Sequence, residues 1–101
     1  MGLTDGIGQP GATPHAEALA HAQHGVAIYW RPGCPFCSRL RMAVRHHRDD
    51  IAWVNIWDDE AGRSYVASVN GGNETVPTVL IDGRPHTNPR PAVVKRALAT
   101  G

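Results

Sequence analysis

Cys34 and Cys37 are the only cysteines in the chain, and they stand in Trp30-Arg31-Pro32-Gly33-Cys34-Pro35-Phe36-Cys37. What flanks them restricts the fold. Val26-Ala27-Ile28-Tyr29-Trp30 is a short apolar run suited to a strand buried on both faces. Arg31-Pro32-Gly33 breaks that strand, and Pro35 suits the first position of a helix, where its missing N–H would have no partner anyway. Beyond it the spacing predicts an amphipathic helix, with Ser38 to His47 as its body. Phe36, Leu40, Ala43, Val44 and His47 fall on one face, and Arg39, Arg41, Arg45, His46 and Arg48 lie mostly elsewhere. A C-x-x-C pair at a strand-to-helix junction reads as a redox site.

The junction distinguishes the two sulfurs. Cys34, at the N-cap or first turn, faces unpaired backbone N–H groups, including those of Phe36 and Cys37, and the positive end of the helix dipole. Arg31 adds a nearby cation, and both influences stabilise a thiolate, the nucleophilic form. Cys37 lies deeper in the helix and is expected to be more buried and less ionised. Cys34 therefore attacks, and Cys37, if it acts, resolves; otherwise a second small thiol releases the intermediate. A zinc site built from Cys34, Cys37 and His46 or His47 is excluded by distance, because the cysteines start the helix and the histidines end it, about 15 Å away. No metal site within one chain is expected. A zinc or iron–sulfur centre would need ligands from a second chain.

The 101 residues suffice for one domain, and the composition, 42% hydrophobic and 19% charged, is ordinary for a globular protein. A formal charge of +1 gives no global field that favours nucleic acid or membrane. Arg39, Arg41, Arg45 and Arg48 read as a solvated helix face rather than a nucleic-acid surface. No signal peptide and no run long enough to span a membrane are visible, so the expected compartment is a reducing cytoplasm, where a close cysteine pair is catalytic more often than structural.

Residues 1–24 read as a flexible N-terminal extension, part-helical, and 25–101 as the domain. Glycines and prolines crowd Met1 to Pro14, while alanine-rich His15 to His24 favours a helix too short to stand alone. Ile51 to Trp57 is the second strand; Trp53 and Trp57 alternate along it as packing residues, although Trp57 at the strand's end could flank the cysteines. Asp58 or Asp59 caps a helix over Glu60 to Val69, which Asn70-Gly71-Gly72-Asn73 terminates. Thr78 to Ile81 and Arg84 to Thr87 form a hairpin around Asp82-Gly83. Asn88-Pro89 opens a last helix that runs to about Ala99. The order βαβαββα implies an α/β fold with a four-stranded mixed sheet flanked by helices.

Glu74-Thr75-Val76-Pro77-Thr78 is the second informative stretch. A proline at the head of an internal strand costs a ladder hydrogen bond and is tolerated where the preceding peptide is cis. Such a bend leaves the backbone of Val76 able to pair with an extended substrate.

At these residues the chain resembles a glutaredoxin of the thioredoxin superfamily. Arg31 to Cys37 is similar to that family's basic residue, spacers and C-P-[YF]-C, and Thr75-Val76-Pro77 to its T-V-P; the resemblance covers about Val26 to Ala99. Glutathione-using members carry G-G-x-D/S after the hairpin, where this chain has His86-Thr87-Asn88-Pro89. That segment, with Val69 to Thr78, instead resembles the actinobacterial mycoredoxins, which use mycothiol. Pro35 stands where those mycoredoxins have glycine, which leaves the electron donor open. The first 24 residues have no counterpart in the family core.

The resemblance implies a thioredoxin-like fold and a thiol–disulfide oxidoreductase acting on protein mixed disulfides. No cofactor is bound permanently; a low-molecular-weight thiol, mycothiol or glutathione, is the co-substrate. Arg31, Thr75, Val76, Pro77 and Asn88 would hold that thiol. A flavoprotein disulfide reductase would stand upstream of a monomeric protein. Two alternatives stay open: a dithiol electron donor reduced by thioredoxin reductase, and an iron–sulfur cluster-binding module.

Overall fold

The computed structural model describes residues 12–100, so most of the expected tail from Met1 to Pro14 lies outside the described residues. The elements are α1 (His15–Ala22), β1 (Val26–Trp30), α2 (Pro35–Ala43), a 3-10 segment (Arg45–Asp50), β2 (Ile51–Asn55), α3 (Glu60–Val69), β3 (Thr78–Ile81), β4 (Arg84–Thr87) and α4 (Pro91–Thr100). They form the expected α/β arrangement around a four-stranded sheet of order β2-β1-β3-β4. β1 runs parallel to β2 and antiparallel to β3, and β3 pairs antiparallel with β4.

All five residues of β1 are buried, as an apolar strand between two neighbours and beneath two helical layers must be. Alternation of side chains sends Tyr29 to one face, where Tyr65 of α3 and His15 of α1 meet it with ring centroids 5.3 and 5.6 Å away. α3 presses closely on that face, because a Cβ on Gly62 would stand 2.6 Å from Val54 Cγ1. On the other face α2 and α4 pack together, and α4 also contacts β1 and β3.

Helix α1 is held by its surroundings rather than by propensity. Ala18 and Ala22 are fully buried in the common core. Asp59 caps α3 by accepting the Gly62 N–H at 2.9 Å, and its second oxygen accepts the His15 N–H at 2.9 Å. The Tyr29 hydroxyl lies 2.8 Å from His15 Nδ1. Just before the helix, the Thr13 N–H donates to the Trp53 carbonyl at 2.7 Å.

Several boundaries differ from the sequence expectation, each for a local reason. α2 stops at Ala43 because Val44 leaves helical geometry (φ −104°, ψ 16°), and a 3-10 segment replaces the expected last turn. Phe36, expected on the buried face, is half exposed in the first turn of α2. β2 ends at Asn55, whose side-chain oxygen accepts the Trp57 N–H at 2.9 Å and turns the chain. Trp57 is therefore exposed at 60%, while Trp53 is buried and donates its Nε1–H to the Arg48 carbonyl at 3.1 Å. α4 begins at Pro91 rather than beside Asn88, because Asn88 takes a left-handed φ of 46° that an extended N-cap cannot have.

Candidate active site

Gly33, at φ 77°, turns the chain out of β1, and Cys34 follows in extended geometry as the N-cap of α2. Its Sγ accepts the Cys37 N–H at 3.3 Å, which satisfies a helix N–H that has no partner within the helix. On its other side Sγ lies 3.7 Å from the Val76 carbonyl oxygen, to which the thiol donates. Both cysteines are reduced and buried.

Cys37 is held firmly protonated. Burial, followed by its hydrogen bond with Cys34, pushes its thiol up to about 12, against a smaller opposing pull from the backbone and charge of Arg31. The guanidinium donates to the Pro32 carbonyl at 3.1 Å and stands 5.8 Å from the Trp57 ring centroid. Trp57 accordingly flanks the cysteine end of the sheet through Arg31, the lesser of its two sequence readings.

The Val76–Pro77 peptide is cis. The segment before it is braced by a chain of hydrogen bonds. Thr87 Oγ1 donates to the Asn70 side-chain oxygen, Asn70 Nδ2 donates to Thr78 Oγ1 at 3.1 Å, and Thr78 Oγ1 donates to the Thr75 carbonyl at 2.7 Å. Asn70 is the residue that sequence reasoning missed. Asn70-Gly71-Gly72-Asn73 reads only as a helix stop, and nothing local reveals that the side chain also reaches β3 and β4.

Asn88 is drawn to the same end of the sheet by its N–H, which donates to the Pro77 carbonyl at 2.7 Å. The structure therefore clusters Cys34, Cys37, Val76 and Pro77, with Asn88 bonded to the far side of Pro77 and Arg31 on the Cys37 side. The Thr75 backbone joins the bracing chain. Among the described residues, no three His, Cys, Asp or Glu side chains gather as a metal would require, and no helix is long and apolar enough to cross a membrane.

A family model described as Glutaredoxin matches residues 26–86. A candidate glutaredoxin of Mycobacterium tuberculosis is 42% identical over 74 residues, covering 72% of this chain and 88% of that protein. Mycoredoxin 1 of Corynebacterium glutamicum is 39% identical over 70 residues, covering 68% of this chain and 86% of its own length. Among solved structures, the holo form of glutaredoxin C1 from Populus tremula x tremuloides aligns with TM-score 0.59 at 20% identity, over 84% of this chain and 94% of that one. A mutant thioredoxin-like protein aligns with TM-score 0.60 at 22% identity, over 72% of this chain and 97% of that one. These two likenesses establish the thioredoxin-like fold. The cysteine pair on that fold, the family match and the two bacterial relatives lead to one statement: the chain belongs to the glutaredoxin family, on its mycoredoxin-like branch, and is a thiol–disulfide oxidoreductase.

Proposed function

We propose that the protein reduces mixed disulfides between proteins and a low-molecular-weight thiol, that this thiol is mycothiol, and that Cys34 is the attacking sulfur. The position of Cys34 Sγ carries the reading. It takes an N–H bond at the start of α2 and faces the Val76 carbonyl at 3.7 Å, while Cys37 is held protonated behind it. A helix N-terminus favours sulfur in its anionic form.

The cycle balances as two exchanges. The Cys34 thiolate attacks the small-thiol sulfur of the mixed disulfide; the old S–S bond breaks, and the protein sulfur leaves as a thiolate and takes a proton from water. Cys34 is left in a disulfide with the small thiol. A second small thiolate attacks the small-thiol sulfur of that bond, giving the symmetrical small disulfide and regenerating the Cys34 thiolate. The net exchange consumes one free small thiol: the mixed disulfide and that thiol give the protein thiol and the symmetrical small disulfide, and the small sulfur first bound to the protein stays at the disulfide level throughout. A flavoprotein reductase using NADPH would recycle their disulfide in the cytoplasm.

Arg31, Thr75, Val76, Pro77 and Asn88 are the proposed contacts for the small thiol, Val76 through its backbone, in a monomeric protein. Mycothiol is favoured over glutathione by Thr87-Asn88-Pro89, which stands where glutathione users have G-G-x-D/S, and by the relative named a mycoredoxin.

The test measures reduction of a mycothiol mixed disulfide against its glutathione equivalent. Wild type is expected to favour the first, Cys34→Ser to be inactive and Cys37→Ser to retain activity. Activity in Cys34→Ser but not Cys37→Ser would reverse the roles, and a preference for glutathione would remove mycothiol.

A further inference from the structure

Beside the cysteines, between α2 and the turn that leads into α4, runs a groove of about 170 Å³ lined by Phe36, Arg39, Leu40, Asn88, Pro89, Arg90 and Pro91. We propose that this groove docks an acidic segment of the protein substrate, flanking the cysteine whose disulfide is reduced. The inference rests on Cys34 being the attacking sulfur.

The groove has two characters. Leu40 is buried at its base, and Phe36 and two prolines add apolar wall. Its charged members are both arginines, Arg39 and Arg90, and both are exposed. Arg39 is positioned, with its guanidinium carbon 5.9 Å from the Phe36 ring centroid. Phe36 stands between the two cysteines in sequence and is 50% exposed, so the groove starts where the chemistry ends.

Among the described residues, no carboxylate is found at ion-pair distance from Arg39 or Arg90. Two cations over an apolar floor, with no ion-pair partner among the described residues, are complementary to a carboxylate next to an apolar side chain. The volume suits one or two side chains of an extended segment, not a folded element. Neither Cys34 nor Val76 lines the groove, so it extends beyond the sulfur-binding edge.

The experiment uses the full-length protein and two peptide mixed disulfides of the same small thiol, one flanked by Asp and Glu, the other by Lys. A small mixed disulfide, of the same thiol with 2-mercaptoethanol, serves as the third substrate. Wild type is expected to reduce the acidic peptide about tenfold more efficiently at low salt, mainly through KM, and the gap is expected to close near ~0.5 M salt. Arg39→Glu with Arg90→Glu is expected to invert the preference, and Arg39→Lys with Arg90→Lys to keep most of it. All variants should act equally on the small disulfide, which also reports that the fold is intact.

Equal handling of both peptides by wild type would overturn the proposal. So would charge reversal that weakens the small disulfide as much as the acidic peptide, since the groove would then serve the small thiol. A concentration-dependent dimer abolished by charge reversal would assign the groove to a second copy and also refute it. If wild type reduces none of the three substrates, the thiol–disulfide reading itself fails, and this inference with it.

Discussion

The protonation of Cys37 can be read directly by alkylation. A thiol at about 12 is ionised at pH 7.5 to only ~3 × 10⁻⁵, whereas an ordinary cysteine near 8.5 is ionised to roughly a tenth. Iodoacetamide reacts with the thiolate, so Cys37 is expected to label ~3,000-fold more slowly than an ordinary cysteine, before its 5% exposure slows it further. A short pulse on the reduced protein, limited to the singly labelled species, should place the label on Cys34 in peptide maps. The restriction matters because alkylating Cys34 removes the sulfur that accepts the Cys37 N–H and raises its neighbour. Raising the pH should increase labelling of Cys37 about tenfold per unit up to pH 11 without a plateau. Labelling of Cys37 within tenfold of an ordinary cysteine at pH 7.5, or a plateau below pH 9, would refute the reasoning.

Three further outcomes follow from the packing. Stability should fall in alkali: Cys37, Tyr29 and Tyr65 are all raised, chiefly by burial, so their neutral forms are favoured in the folded state. That contribution is complete below the unfolded values near 8.5 and 10 and is lost as pH rises through the folded ones, so stability from urea unfolding should hold to about pH 8.5 and then decline, by roughly 3 kcal/mol near pH 11 from Cys37 alone. A midpoint unchanged from pH 8 to 11 would contradict this. Gly62→Ala should cost about 1–3 kcal/mol in urea unfolding, because its Cβ would stand 2.6 Å from Val54 Cγ1 in a fully buried site; a neutral effect would mean that α3 shifts freely on the sheet. Asp59→Ala should cost about 1–2 kcal/mol and raise amide exchange in α1 as well as at the start of α3, since one carboxylate serves both; unchanged exchange in α1 would show that the His15 bond is dispensable.

Much of the site was legible because its signals are local. A proline at the first helical position, a glycine before the cysteine and an apolar run upstream each restrict one or two dihedral angles. Together they specify a strand, a turn and a helix with Cys34 at its cap. The same holds for Asp59 ahead of α3 and Asp82-Gly83 in the hairpin. What escaped depends on contacts distant in sequence. Phe36 belongs to the helical stripe by spacing, yet it stands half exposed on a groove shared with Pro89 and Pro91. Trp57 continues the alternation of β2, but the Asn55 side chain closes a turn first. Asn88 has the chemistry of an N-cap and instead adopts a positive φ, with its N–H bonded to Pro77.

The bond from the Thr13 N–H to the Trp53 carbonyl has a consequence for behaviour at high concentration. A four-stranded open sheet has two outer strands, here β2 and β4, and each exposes backbone that a neighbouring molecule can pair with. On β2 the residues ahead of α1 occupy part of that backbone. On β4 the sequence Arg84-Pro85-His86-Thr87 supplies a charge and removes one donor. Both margins are therefore blunted against strand-to-strand association, one by an added segment and the other by composition. A truncation that begins at β1 would uncover only the first.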